Sequence, residues 1–280
     1  MSPAQHSVSE PETTLAPGCF PAVSRTAGPG IRTARRFLRI LLLVPTFGLA
    51  LLDFHFRNGN WDARRKALWL SGLCARVLKI LGVGLRVSGT PPASGLLVAN
   101  HLSYLDILII SALQPTVFVA KAEVRHWPLF GFLAFAAGCV FVDRQRRADV
   151  ARVGTALEEP LGAGVPVCIF PEGTSSNGQD VLPFYPSLLE AAAQGTHPVV
   201  PAGIDYFLAV DDPGEHVCFW GDMELAPHLY GLMGQEWVLA SIRFGKVRRA
   251  AVPRKTLAME LRAEVAALRE RATWGRQATG

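Results

Sequence analysis

From residue 85 onward, apolar runs of strand length alternate with longer stretches of helical period, and this alternation limits the fold of the 280-residue chain more than any other feature. Strands are expected near 85–89 (LRVSG), 95–100 (GLLVAN), 116–121 (TVFVAK), 139–143 (CVFVD), 165–170 (VPVCIF), 197–204 (HPVVPAGI), 216–221 (HVCFWG) and 237–244 (WVLASIRF). Helices are expected at 105–113, 128–137, 148–164, 186–195 and 254–272. Strands separated by helices return to the sheet in parallel. The expected class is therefore α/β: a mixed, largely parallel sheet flanked by helices, with an N-terminal membrane-associated helical segment.

That N-terminal part has a different character. Residues 1–30 are rich in Pro, Ser, Thr and Gly without period and are expected to be a disordered tail; residues 31–84 are expected to be the membrane-associated segment, and 85–280 the α/β domain. The uncharged run around Ile40 to Leu52 contains Pro45 and falls short of the ~20 residues of a spanning helix. It also begins too late for a cleaved signal peptide. Arg32, Arg35, Arg36 and Arg39 precede it and Arg57, Arg64, Arg65 and Lys66 follow, so charge asymmetry gives no direction of crossing. A re-entrant or in-plane hairpin satisfies both flanks. In the next segment Leu70, Leu73, Val77, Ile80 and Leu81 share one helical face and Arg65, Arg76 and Lys79 another, a pattern that fits an interfacial helix or one packed on the core.

Composition agrees with a lipid setting: half the residues are hydrophobic and 18% are charged. The net charge of +5 is concentrated at the N-terminus, where residues 1–80 hold 11 Lys/Arg against 4 Asp/Glu and the remainder 17 against 19. A basic segment beside apolar sequence suits an anionic membrane surface. Zinc-finger spacing and RNA-binding aromatic motifs are missing, so no nucleic acid is expected as a partner. The five cysteines, at 19, 74, 139, 168 and 218, form no CxxC pair and mostly sit in apolar runs, as reduced core residues do.

Polar residues collect where the expected strands end: His101, Lys121, Asp143 with Arg144, Pro171 with Glu172 and Gly173, and Pro201. In open α/β sheets, ligands bind beyond the carboxyl ends of the strands. His101 and Asp106 are five residues apart, about 140° on a regular helix, so they meet only if His101 lies in the turn before a helix and Asp106 reaches back from inside it. Such a carboxylate fixes the imidazole tautomer and stabilises its protonated form while the other nitrogen takes a proton from a hydroxyl. Asn100 and Ser103 read as capping or turn residues. Ser103 as a nucleophile is the weaker alternative, without a GxSxG elbow. Arg144 follows an apolar strand directly and is placed to bind phosphate through its planar fork; Lys121 shares that claim more weakly. Glu172 beside Gly173 can contact a substrate hydroxyl or a cation, or simply belong to a turn. No metal is expected, because His101 and Asp106 lack partners at ligand spacing.

At these residues the chain resembles the 1-acylglycerol-3-phosphate acyltransferase family. Four blocks match in order: NHLSYLD to the family's NHxxxxD, GCVFVDR to GxxFxxR, FPEGT unchanged, and VVPAGI to a Val/Ile-Pro-Ala/Val block, all within about residues 95–205. The resemblance implies acyl transfer from an acyl-CoA or acyl carrier protein thioester, a co-substrate rather than a cofactor, to a lysolipid hydroxyl at the cytoplasmic face of the inner membrane. By the same analogy His101 is the general base, Asp106 orients it, Arg144 contacts the acceptor's phosphate, and Glu172, Gly173 and Thr174 help to shape the acceptor site. Lysophosphatidate is the first expectation for the acceptor. Two departures from the pattern, Ser175 where many members carry Arg and Tyr185 where some carry Lys, each remove a cation, and a lyso-ornithine lipid is the alternative. A hydrolase and a non-catalytic membrane lipid-binding protein are readings of other classes.

Overall fold

A computed structural model describes residues 28–57, 61–126, 130–142, 147–249 and 251–269, with side chains left out at 130 and 147–153. The tail expectation falls mainly on residues 1–27, outside the described residues, and so do Asp143 and Arg144. In chain order the elements are α1 (Pro29–Arg57), α2 (Ala63–Leu81), β1 (Val83–Ser88), β2 (Leu96–Ala99), α3 (Leu105–Leu113), β3 (Val117–Lys121), α4 (Phe130–Ala136), β4 (Val140–Val142), α5 (Arg147–Gly162), β5 (Val167–Ile169), α6 (Glu190–Ala193), β6 (Val199–Leu208), α7 (Pro213–His216), α8 (Leu225–Leu232), β7 (Val238–Phe244) and α9 (Arg254–Leu268).

The seven strands form one sheet in the order β1-β7-β6-β2-β5-β3-β4. Only the β6–β7 pairing is antiparallel. The sheet is thus mixed and largely parallel, as the alternation of elements requires. β2 lies at its centre between β5 and β6 and is buried on both faces. Leu97 and Ala99 face a core shared with α2 and α3, whereas Leu96 and Val98 face one shared with α5 and α9, so the period of two assigns each strand residue to a layer. Parallel sheets read as continuous apolar runs for this reason.

Two expected elements differ. Residues 216–221 form no strand: α7 is followed by an irregular segment in which Val217 and Cys218 donate to the Pro213 carbonyl and Phe219 N donates to Leu102 O at 2.8 Å. Asp212 caps this turn through Gly214 N at 2.8 Å, and the buried Val217 and Cys218 then cover the start of α3 instead of pairing in the sheet. An apolar Val-Cys-Phe run looks the same in either setting. Residues 186–195 are a 3-10 turn (Pro186–Leu189) and the single turn α6, not one regular helix.

The N-terminal segment also departs from the hairpin expectation. α1 runs unbroken for 29 residues through Pro45. Pro45 removes the helical hydrogen bond to the Leu41 carbonyl, and beside it Thr46 Oγ1 donates to the neighbouring Leu42 O at 2.7 Å. The helix is long and apolar enough to cross a membrane by length and composition. Arg39, Leu43, Ala50 and Phe54 make its buried face, while Phe37, Leu38, Leu41, Val44, Leu49, Leu52 and Phe56 lie exposed on the other. α2 starts at Asp62, whose carboxylate accepts from Arg65 N at 2.7 Å, and stops at Gly82 in the left-handed region with φ 70°. A Cβ at Gly82 would lie 2.5 Å from Arg39 Nη2, so the stop residue also admits α1. Leu70, Leu73, Val77 and Leu81 are buried in the core and Arg65, Arg76 and Lys79 are exposed. α2 is therefore the core-packed helix of the two sequence alternatives, and α1 carries the exposed apolar face.

Candidate active site

The site begins at the end of β2. Asn100 does not cap a helix: its Nδ2 donates to Ile204 O at 3.0 Å and its Oδ1 accepts from Ile204 N at 2.7 Å, clamping the strand end to β6. His101 leaves the sheet here, and its ring stacks on Phe170 with centroids 4.2 Å apart and planes 15° from parallel. Asp106 sits in the first turn of α3, nearer the helix start than one full turn inside. Its Oδ2 lies 2.7 Å from His101 Nδ1 and accepts from Leu102 N at 2.7 Å and Ser103 N at 3.0 Å; its Oδ1 accepts from Tyr206 OH at 2.6 Å. A buried carboxylate is costly unless its oxygens find donors, and this one has four. With Oδ2 accepting, Nδ1 is the protonated nitrogen, leaving Nε2 to accept a proton. The His101 side chain is 21% exposed and Asp106 fully buried, so only the imidazole is open to a substrate.

Glu172 holds the same loop from the other side. Its Oε1 accepts from His101 N at 2.8 Å and its Oε2 from Leu182 N at 2.9 Å, while the residue is buried. Both oxygens are thus engaged with backbone, and Glu172 shapes the site by fixing His101 in place. Burial raises its carboxyl above the usual range, against the two backbone donors that lower it. Gly173 takes φ 72° in a turn closed by its own N–H to Phe170 O at 3.0 Å. Ser175 Oγ donates to Phe219 O, and Ser176 N to His101 O at 3.0 Å, tying the segment to the turn before α3.

His101, Gly173, Thr174 and Ser175 line one cavity of about 470 Å³, within the range of small-ligand sites. Its remaining wall is mainly apolar, drawn from α1, α2, α3, β3 and α4. Lys121 also lines it, half-exposed and 3.8 Å from Glu123. The structure therefore brings together His101, Asp106, Glu172, Gly173 and Thr174, with Lys121 on the same cavity. Arg144 lies outside the described residues. Cys74 and Cys139 line the cavity too, but burial pushes both thiols up to about 12, so neither is a ready nucleophile. Ser103 is fully buried and its Oγ has no hydrogen-bond partner among the described residues, which removes the activating base a serine nucleophile needs.

Tyr206, Phe170 and the Tyr104–His228 contact escaped the sequence reading. Tyr104 OH lies 3.1 Å from His228 Nδ1, whose Nε2 lies 3.1 Å from Cys218 O. Burial lowers the His228 proton affinity. For Tyr206 a signal was present: a tyrosine within an apolar strand must find a partner for its hydroxyl.

The arrangement of sheet and helices is that of the crystal structure of the 1-acyl-sn-glycerophosphate (LPA) acyltransferase PlsC from Thermotoga maritima, with TM-score 0.56 and 20% identity over 86% of this chain and 99% of that one, a likeness of fold. Residues 86–205 match the acyltransferase family model. Over nearly the whole length, the lyso-ornithine lipid O-acyltransferase of Brucella abortus is 34% identical, across 88% of this chain and 98% of the relative. The 1-acyl-sn-glycerol-3-phosphate acyltransferase of Neisseria meningitidis is 33% identical across 62% of this chain and 69% of its own. The chain belongs to the acyltransferase family and is an acyltransferase of lipid biosynthesis.

Proposed function

We propose that this acyltransferase moves an acyl group from a coenzyme A or acyl carrier protein thioester to the free hydroxyl of a lyso-ornithine lipid. His101 Nε2 takes the proton as the hydroxyl oxygen attacks the thioester carbonyl. The tetrahedral intermediate then expels the thiolate, and the His101 imidazolium returns the proton to it, giving ester and free thiol. Asp106 holds the ring and balances its charge in between. The apolar cavity opening at His101 supports this reading, since it offers an acyl chain a place beside the base.

The observation that carries the acceptor is the match to the Brucella relative along 98% of its length. It reverses the order of the two acceptors expected from sequence. Ser175 and Tyr185 point the same way, because a phosphomonoester attracts cations and an ornithine headgroup carries a carboxylate and an ammonium on one molecule. Arg144, expected from the sequence to contact an acceptor phosphate, is on this reading the candidate partner of the ornithine carboxylate instead. Lysophosphatidate is the second reading, favoured by the Neisseria relative. α1, with its apolar outer face, supports membrane association, and we place the site at the cytoplasmic surface, where both thioesters are found. The test is mass spectrometry of products from the purified chain given both lysolipids and both donors. Diacylated ornithine lipid is expected as the faster product; preference for lysophosphatidate would overturn the acceptor.

A further inference from the structure

Tyr206 stands on β6, a hundred residues from the loop it serves. Its side chain shares a strand face with Ala202 and Ile204, and the two-way bond between Asn100 and the Ile204 backbone fixes that stretch of β6 against the end of β2. The phenol is thereby delivered to Asp106 from the side opposite His101. The three donors on Oδ2 come from the loop and turn before α3, 101–103; the single described donor on Oδ1 comes from Tyr206. Asp106 is fully buried, so bulk solvent does not reach that oxygen.

We propose that Tyr206 is a positioning residue of the His101–Asp106 pair, holding the carboxylate in register and drawing off part of its negative charge, and so setting the pH at which His101 takes up a proton. This rests on the reading of His101 as the base. Each donor to a carboxylate disperses charge that would otherwise favour the imidazolium. Removing the phenol hydroxyl leaves more charge facing His101, and the pair binds a proton more tightly.

Other titratable groups face the pair. Glu172 lies on the His101 side, Cys168 on β5, Cys218 after α7, and Tyr104 beside Tyr206. Burial raises the two thiols and Tyr104, which keeps them neutral through the acidic and neutral range. Glu172, and His228 beside Tyr104, a histidine whose proton affinity burial lowers, are the remaining rivals for control of the acidic limb, and only the His101 NMR signal separates them from the pair.

The experiment uses the full chain in detergent, wild type against Tyr206→Phe. His101 is followed by nitrogen-15 histidine NMR, with its signals assigned by their loss in His101→Gln, and the pH–rate profile is measured in parallel. Tyr206→Phe is expected to move the His101 midpoint and the acidic limb upward by roughly one pH unit, a tenfold gain in proton affinity on the scale of one charge-assisted bond. Should Tyr206→Phe fail to fold, 3,5-difluorotyrosine at position 206 keeps the ring and strengthens the donor, and the midpoint should then fall. A midpoint that stays put or moves the other way in the folded variants overturns the proposal, as does a limb that moves in Glu172→Gln but not in Tyr206→Phe. The NMR arm is independent of turnover: an inactive wild type with an upward shift in Tyr206→Phe defeats the proposed function and leaves the positioning role standing.

Discussion

Arg39 in α1 and Asp106 in α3 are both buried charges, and they are neutralised in different ways. The Arg39 guanidinium donates to three backbone carbonyls, Met233 at 3.0 Å, Gln235 at 2.7 Å and Glu236 at 3.4 Å. Asp106 takes two backbone N–H groups as well, but its other partners are side chains, His101 and Tyr206. A charge closed off by backbone alone is a fastener: nothing in the cluster changes protonation or reaches a cavity. A charge shared with an imidazole that lines a cavity is part of a proton relay. The same physics, the expense of an unpaired buried charge, serves adhesion in one place and chemistry in the other.

The contrast is tested most severely at its reactive end. His101→Ala should lower acyl transfer by about 10² to 10⁴ with thermal unfolding and membrane flotation unchanged, the usual range for a general base. A folded variant retaining more than about a tenth of the activity would take away the base, given that range. At the fastener the effects should be inverted. Arg39→Ala strands three carbonyls between α1 and the body and should cost roughly 2 to 4 kcal/mol of stability, read by thermal unfolding in detergent, while the folded enzyme keeps its pH–rate profile. A displaced profile would mean that the two clusters are coupled.

The smallest effect concerns salt. Arg32 pairs with Asp211 at 3.4 Å, Arg35 donates to Gly234 O at 3.0 Å, and Arg36 donates to Tyr230 O at 3.1 Å with its guanidinium over the Tyr230 ring. With Arg39 also engaged, the basic flank of α1 is turned to the protein. Vesicle flotation should therefore survive a rise to about 0.5 M salt, where surface charges are largely screened, and should fail when Phe37 and Leu41 on the exposed face are both changed to Asp. Release by salt alone would restore the electrostatic anchor read from the sequence.

Local relations were legible in the sequence. The His101–Asp106 pairing follows from a five-residue spacing and helix geometry, and the sheet from strand-length apolar runs separated by helical ones. The readings that the structure redirects involve distant partners. Arg32, Arg35 and Arg36 look lipid-facing because an arginine beside an apolar run gives no sign that its acceptor, the Asp211 carboxylate for Arg32 and a backbone carbonyl for the other two, lies far along the chain. The run at 216–221 looks like a strand because burial under a loop and burial in a sheet select the same side chains.

Periodicity and short-range spacing are properties of the backbone's own geometry, so the sequence by itself determined the α/β class, the apolar character of the N-terminal segment and the pairing of a histidine with an aspartate, but not that this segment is one unbroken helix. Which strand lies beside which, and which donor reaches the second oxygen of Asp106, depends on crossovers that bring residues 100 and 204 into one register. Only the tertiary structure decided that, because a hydrogen bond across a hundred residues is specified by the packing of every layer between and leaves no period in the chain.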